Sequence, residues 1–221
     1  MTSVELYKKF LLKLNKNDTN TKIKIPKGEF VLIFNEQKRT WLHNALKDLI
    51  SSDEITELED ILVIDKELVT SKQTEKKDYF KLPERFFRYQ SSYSIAKKDD
   101  CVKLLYNFPL KPKNIVALLQ NSNTEPDFLF EQTLTELSEG NLVVHKKDFE
   151  IEKQFLTYYR EPIDIDLEGY IRIDGTPSTN INPDIGKDTL DKILNLCVLE
   201  ATISYENAES FQMSAQRIKN S

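Results

Sequence analysis

The residues best suited to chemistry in this sequence are two histidines and three aspartates. His43 and His145 each lack a second histidine or cysteine at a spacing that ligates a metal. Asp164, Asp166 and Asp174 form a short acidic group whose functional alternatives are weak divalent-cation binding and paired-carboxylate catalysis. Short acidic segments near turns are usually solvated, and the sequence therefore predicts no catalytic residue, no metal ligand and no cofactor.

Charge and composition argue against most binding chemistries. Lys97-Lys98 and Lys146-Lys147 are each followed by aspartate, as expected of hairpin tips, with DNA contact as the alternative. The net charge is −5, from 31 basic and 36 acidic residues, and gives no basic field for nucleic acid. Only five glycines occur, which disfavours a glycine-rich nucleotide site. Cys101 and Cys197 are typical of buried thiols in a reducing cytosol, although a disulfide stays open.

Helical periodicity marks both ends of the chain. The first helix carries an apolar stripe, and Pro26 suits the first turn of a second helix. Ser51 or Ser52 can cap a third, shorter helix. After Asn182-Pro183 a long helix repeats apolar or small residues every three to four positions. The stripe of the first helix is Val4, Tyr7, Leu11 and Leu14, broadened by Leu6 and Phe10; the C-terminal seam is Leu190, Leu194, Cys197, Ala201, Ser204, Ala208, Phe211, Ala215 and Ile218.

The middle of the chain changes to the period of β-strands. Residues 69–78 are rich in lysine and threonine and predict an exposed loop. Several strands follow, with a hairpin turn at Gly140, and short connections favour an antiparallel sheet that is half buried. The predicted fold is therefore α+β: a helical bundle from the N- and C-terminal helices with an inserted antiparallel β-sheet or sandwich region. The domain prediction is 1–66 for the N-terminal helices, 67–177 for the β-rich insertion and 178–221 for the long helix.

Two places suit a protein–protein interface. Tyr158-Tyr159-Arg160 ends a strand just before Pro162 and forms either a structural corner or, in addition, a subunit contact, since tyrosine and arginine are common interface anchors. The small residues of the C-terminal seam permit close approach of another helix, either within the chain or from a neighbouring subunit. The candidate interface residues of the seam are Ala201, Ala208, Phe211 and Ile218.

Several weak motifs, taken in order, resemble one protein family. The chain is similar to the head–tail connector (ring) proteins of tailed bacteriophages, particularly of crAss-like phages. The motifs that carry this resemblance are Phe10-Leu-Leu-Lys-Leu-Asn15, Ile33 to Trp41, Leu82-Pro83, Pro126-Asp-Phe128, the Phe149–Pro162 strand, Ile171 to Ser178 and Asn182-Pro183.

The resemblance implies a virion protein without enzymatic activity. Such a protein assembles as a homo-oligomeric ring of twelve subunits, joins the portal protein to the next tail or ring protein, and surrounds a channel through which DNA passes without specific binding. It is assembled in the host bacterial cytoplasm and located at the portal vertex, with no membrane association. Two alternatives stay open: a tail-hub or tail-tube subunit, and a small cytosolic nucleic-acid-binding protein or enzyme.

Overall fold

The computed structural model describes residues 1–16, 23–48, 56–110 and 115–219, with the backbone alone at 47–48, 56–57, 115 and 205–219. It has four α-helices and eight strands in these ranges, which confirms the mixed α+β class. The chain divides into two compact units, a helical unit of Met1–Asp60 with Pro162–Ser221 and a sheet unit of Ile61–Glu161. No helix in the described ranges is long and apolar enough to span a lipid bilayer.

The helices lie mainly at the two ends of the sequence. They are α1 (Ser3–Leu14), α2 (Lys27–Asp48), a 3₁₀ helix (Thr56–Ile61), α3 (Ile115–Leu119) and α4 (Lys187–Lys219). Thr2 starts α1 with a capping box, because its hydroxyl accepts from the Glu5 backbone while the Glu5 carboxylate accepts from the Thr2 backbone. Gly186 precedes α4, and its N–H donates to Asp60 Oδ2 at 2.8 Å.

The helical unit is built around phenylalanines. Phe30 lies with its ring centroid 4.9 Å from that of Phe10 and 5.8 Å from that of Phe34. The buried apolar residues of α1 are Leu6, Phe10 and Leu14, which all belong to the predicted stripe, whereas Val4 at its edge is exposed. These three residues are spaced i, i+4 and i+8, so their side chains lie on the same side of the helix. Two polar contacts join α1 to α4: an ion pair between Lys9 and Asp191 at 2.5 Å and a hydrogen bond from Lys13 to Asn195 Oδ1 at 2.5 Å.

One helix prediction needs correction. The third helix is a 3₁₀ turn from Thr56 onward, and Leu62, predicted as one of its apolar residues, already belongs to a strand; its predicted caps lie outside the described residues. The long helix begins at Lys187, at the start of the C-terminal 35 residues in which it is predicted. Residues 182–186 bind other segments, since Asn182 Oδ1 accepts from the backbone of Ser3 and Asp184 Oδ1 accepts from the backbone of Ile163.

The sheet unit contains one eight-stranded curled sheet. Its order is β1-β8-β4-β5-β6-β7-β3-β2, so its two end strands are neighbours in sequence, separated by Val69 alone. The chain therefore joins the two ends of the strand order and curls the sheet onto itself. The strands are β1 (Leu62–Leu68), β2 (Thr70–Gln73), β3 (Lys77–Lys81), β4 (Phe86–Lys98), β5 (Cys101–Pro109), β6 (Gln132–Ser138), β7 (Asn141–His145) and β8 (Glu150–Arg160).

The sheet differs from its prediction in two ways. The predicted loop at 69–78 contains β2 and the start of β3, because β2 pairs with β3 although its own side chains are exposed. The sheet is also not wholly antiparallel, since β5 and β6 run parallel. The turn at Gly140 is confirmed: Glu139 and Gly140 both have positive φ and join β6 to β7 as a two-residue hairpin.

The unit boundaries differ from the predicted domain boundaries. The sheet unit starts at Ile61 and ends at Glu161, whereas the sequence placed the changes after residues 66 and 177. Strand β1 pairs with β8 and so brings residues 62–66 into the sheet unit. Residues 162–177 belong to the helical unit, where Lys38 of α2 donates to the Pro162 carbonyl at 2.8 Å.

The interior of the curled sheet combines apolar and polar side chains. Phe80, Leu105 and Leu156 are among its fully buried apolar residues. Beside them, the Ser94 hydroxyl contacts Asn107 Oδ1 at 2.9 Å and Gln154 Oε1 at 2.5 Å. Each of these polar groups is buried, and their mutual hydrogen bonds offset the cost of removing them from water.

Candidate functional site

The segment from Pro162 to Ile181 is ordered around a single carboxylate. Asp166 is buried and accepts hydrogen bonds from the Tyr170 hydroxyl at 2.7 Å and from Arg172 Nε at 2.9 Å and Nη2 at 2.5 Å. It also accepts from the backbone N–H groups of Leu167 and Thr179. Burial alone would raise the pKa of Asp166, but these donors outweigh burial and hold the pKa below its usual value. Asp166 therefore carries its charge as a structural anchor.

The same segment is attached to α2 at three points. Asn35 makes two hydrogen bonds to the backbone of Ile165, in the manner of a strand partner. Asp164 pairs with Lys38 at 2.6 Å and with Arg39 at 2.9 Å. The third point is Gly28, against which the Tyr170 ring packs so closely that a Cβ at this position would lie 3.1 Å from the ring. These contacts hold the segment against α2 without help from a ligand.

Between α2 and this segment lies an apolar groove of about 870 Å³. Its most exposed apolar members are Ile173 at 94%, Ile171 at 74% and Leu32 at 53% of their surface. The two isoleucines alternate with Tyr170 and Arg172, which turn inward to Asp166. A groove of this size is within the range of binding sites in proteins. Its lining is Gly28, Val31, Leu32, Asn35, Asp164, Ile165, Asp166, Tyr170, Ile171, Arg172, Ile173, Asp174 and Ile181.

Each of the three aspartates has hydrogen-bonding or ionic partners within the chain. Asp164 and Asp166 are each held by cations, and Asp174 Oδ1 accepts from the backbone and hydroxyl of Thr176. Burial and the bond to Asp166 raise the pKa of Tyr170 to about 12, so its hydroxyl stays a donor. Across the described residues, no group of three or more His, Cys, Asp or Glu side chains is placed to hold a metal ion.

The candidate interface residues lie in different environments. Tyr158 and Tyr159 are buried within the chain, and the Tyr158 ring lies 5.7 Å from that of Phe86. Arg160 is half-buried, and Ala201 is buried in the helical unit. Burial gives both tyrosines and Ala201 a structural role in the single chain. The side chains of Ala208, Phe211 and Ile218 lie outside the described residues, so their role in an interface stays a prediction.

Most lysines of the Lys97-Lys98 and Lys146-Lys147 pairs form ion pairs with carboxylates. Lys98 pairs with Asp148, Lys147 with Glu125 at 2.8 Å, and Lys146 with the buried Asp78 at 2.8 Å.

The two cysteines are both free. Cys101 is exposed at a hairpin, contrary to the prediction of a buried thiol, while Cys197 is buried as predicted. Burial raises the pKa of the Cys197 thiol to about 12, which keeps it unreactive.

His145 is a buried neutral imidazole rather than a site residue. Its Nε2 lies 3.3 Å from Glu136 Oε1, and burial, assisted by the nearby Lys77, lowers its pKa below the usual value. Since the unfolded chain takes up a proton near pH 6.5 and the folded chain does so only at lower pH, stability must fall as pH drops below about 6.5.

We therefore expect the free energy of unfolding of the native chain to decrease from pH 7 to pH 5, by at most about 1.4 kcal/mol per pH unit from this group. Urea titrations at several pH values measure the slope. In His145→Gln the slope in this window should flatten, whereas His43→Gln, which alters an exposed histidine, serves as the matched control. An unchanged slope in His145→Gln would contradict the assignment.

A second apolar surface lies on β5. Val102, Leu104, Tyr106 and Phe108 alternate along this strand and are all exposed, between 38% and 63% of their surface. On the neighbouring strand β4, Tyr93 lies opposite Tyr106 in the register, and its ring stacks at 4.9 Å on the ring of Phe155 from β8. Sequence reasoning assigned β5 as a strand but did not single out its exposed face, because period-2 alternation does not say which face is covered.

The groove was also missed in the sequence. One signal was present: Ile171 and Ile173 alternate with polar neighbours in a segment otherwise rich in turns. Comparison with known proteins adds no assignment, since no family model and no curated protein matches the chain.

Proposed function

We propose that this chain is a structural subunit of a ring at the head–tail junction of a tailed bacteriophage of the crAss-like type. The subunit sits below the portal, contacts the portal protein and the next tail or ring protein, and surrounds the DNA channel. It carries out no covalent chemistry. In this proposal α1, α2 and α4 form the bundle of the subunit, with the curled sheet as its insertion.

The observation that carries the proposal is the presence of two separate apolar surfaces on one chain. One is the groove in the helical unit, with Ile171 and Ile173 exposed, and the other is the exposed face of β5 in the sheet unit. A closed ring is built from heterologous contacts, which need two different faces on every subunit. A monomer that works alone gains nothing from exposing both surfaces, since large exposed apolar patches mark interaction sites.

Charge distribution agrees with a channel that DNA passes without being held. Residues 162–221 contain ten acidic and five basic side chains, whereas residues 1–161 are balanced at 26 of each. Protein surfaces that hold DNA are rich in lysine and arginine, because these neutralise phosphates and release counterions. The C-terminal part of the chain lacks that composition.

Cryo-electron microscopy of assembled virions tests the proposal. We expect a closed ring containing this chain between the portal and the tail, with twelve subunits. Particles that lack such a ring would refute it, and a position inside the tail tube or hub would favour the tail-subunit alternative. Native mass spectrometry with the products of the neighbouring genes gives a second readout, in which a complex with the portal protein is expected.

A further inference from the structure

We propose that the groove between α2 and the Pro162–Ile181 segment binds the C-terminal part of α4, residues 208–219, of a second copy of the chain. This inference rests on the proposed ring and identifies one of its contacts. The occupant is a helical stretch whose sequence has Phe211, Ala215 and Ile218 at i, i+4 and i+7, the spacing with which amphipathic helices dock into apolar grooves.

The first argument is that α4 continues well beyond its last described buried residue. Ala201 is its last described buried residue, and Ile203 and Ser204 are exposed. The helix nevertheless runs on to Lys219. At about 1.5 Å per residue, positions 202–219 carry the chain roughly 27 Å past Ala201. A continuous helix does not reverse its direction, so residues 208–219 cannot fold back beside Ala201.

The second argument is charge. Asp174 lines the groove, is exposed, and is in none of the ion pairs formed among the described residues. Residues 208–219 are the one basic stretch of an otherwise acidic C-terminal part, with Arg217 and Lys219 against Glu209. An apolar helix end with two cations thus matches an apolar groove lined by an exposed aspartate.

The third argument is preorganisation. The Asp166 carboxylate fixes Tyr170 and Arg172, and this leaves Ile171 and Ile173 exposed on a wall that is already formed. A wall that needs no ordering when the partner arrives loses less entropy on binding. The groove volume of about 870 Å³ accommodates the phenylalanine and isoleucine side chains of the helix end.

A binding measurement with the full chain tests this contact. The receptor is the full chain with Phe211→Asp and Ile218→Asp, so that its own helix end cannot compete. The probe is a fluorescent peptide of residues 204–221, followed by anisotropy. We expect saturable binding that weakens about tenfold or more with Ile173→Asp, because the isoleucine loses its burial. Ile64→Asp, at an isoleucine exposed at 67% in the other unit, is the matched control and should leave binding unchanged.

Charge and copy number have their own tests. A peptide with Arg217→Glu and Lys219→Glu should bind the receptor more weakly, and its binding should recover on a receptor that also carries Asp174→Lys.

Copy number is tested by mixing the groove variant Ile173→Asp with the tail variant Phe211→Asp/Ile218→Asp at concentrations well above the peptide's dissociation constant. Native mass spectra should then show pairs of the two variants and no assembly larger than a pair. Each variant alone should stay unpaired.

Three outcomes would overturn the inference: a peptide that does not bind, binding that ignores Ile173→Asp, or a mixture that forms no pairs. Its failure is distinguishable from failure of the proposed function. A virion ring of this chain with vacant grooves would refute the groove contact alone. Tight peptide binding by a chain that is absent from virions would refute the ring alone.

Discussion

Replacing Asp166 by asparagine should destabilise the chain by about 3 kcal/mol. The substitution keeps the size of the side chain but removes the charge that pairs with Arg172 and turns one acceptor into a donor facing other donors. Breaking a largely buried pair leaves unpaired groups at a cost of a few kcal/mol, reduced here because Arg172 is about one-third exposed. Urea unfolding measures the loss, and tryptic cleavage after Arg172 should become faster.

Asp174→Asn is the matched control for this prediction. It makes the same chemical change in the same segment, but at an exposed carboxylate. The hydrogen bonds that Asp174 Oδ1 accepts from Thr176 can be kept by the amide oxygen of asparagine. We expect a loss below about 0.5 kcal/mol there. Equal losses in the two variants would show that Asp166 is not the anchor of the segment.

Acid should expose the same dependence in the native chain. Because the pKa of Asp166 is lowered on folding, its stabilisation is complete above the unfolded value near 4 and is lost as pH falls through the lower folded pKa. The native chain should therefore lose more stability between pH 5 and pH 2 than Asp166→Asn does. Parallel acid titrations of the two proteins would contradict this.

The second large effect is expected at the buried pair of Asp78 and Lys146. Asp78 is fully buried, and Lys146 Nζ lies 2.8 Å from its Oδ1, although neither carboxylate oxygen has a well-directed hydrogen bond. Burial raises the pKa of Asp78 in spite of the lysine. Asp78→Leu alone should cost about 3–5 kcal/mol, since it leaves an ammonium group buried without its counter-charge.

A double-mutant cycle makes this prediction sharp. Lys146→Met alone should cost less than Asp78→Leu, because a carboxyl with a raised pKa can take up a proton when its partner is lost. The double variant should regain most of the loss, as an apolar pair replaces two desolvated charges. Glu67→Leu with Lys153→Met is the control pair, 3.7 Å apart and more than half exposed, with an expected coupling below about 0.5 kcal/mol. Additive losses at Asp78 and Lys146 would contradict the coupling.

The pH dependence of this pair has the opposite sign to that of Asp166. Since folding raises the pKa of Asp78, its contribution is most favourable below the unfolded value near 4 and declines as pH rises through the folded pKa. Compared with the native chain, the double variant Asp78→Leu/Lys146→Met should therefore gain more in free energy of unfolding at pH 7 than at pH 4. Urea titrations of the double variant and the native chain at pH 4 and pH 7 measure the difference.

Local signals in the sequence were sufficient for several elements. The helix after Pro26, the long C-terminal helix and the hairpin at Gly140 each depend on neighbours within a few residues, and the structure contains all three. Glu139 and Gly140 adopt positive φ because a two-residue hairpin requires it, whatever the rest of the sheet does. These features are encoded locally and can be read locally.

Which side chains of a strand face the core was harder to predict, because one extra residue in the strand moves the following side chains to the opposite face. A regular strand would place Ile151 on the same side as Phe155. In the sheet, Ala96 is opposite Ile151 while Ile95 is opposite Lys153, so Glu152 is an extra residue in β8. This bulge brings Ile151 into the core with Leu156 and Tyr158. The partner strand sets the position of a bulge, and a single sequence does not contain that register.

By itself the sequence determined the α+β class, the positions of most helices and strands, and the lack of any spacing typical of a metal or nucleophilic site. The tertiary structure alone decided two properties of the acidic group: that Asp166 is buried, and that Asp164 pairs with Lys38 and Arg39, which are more than 120 residues away in sequence. It also decided which apolar residues stay exposed. Burial depends on what covers a face, and that is a property of long-range packing rather than of local spacing. The groove and the exposed face of β5 could therefore be found only in the folded chain.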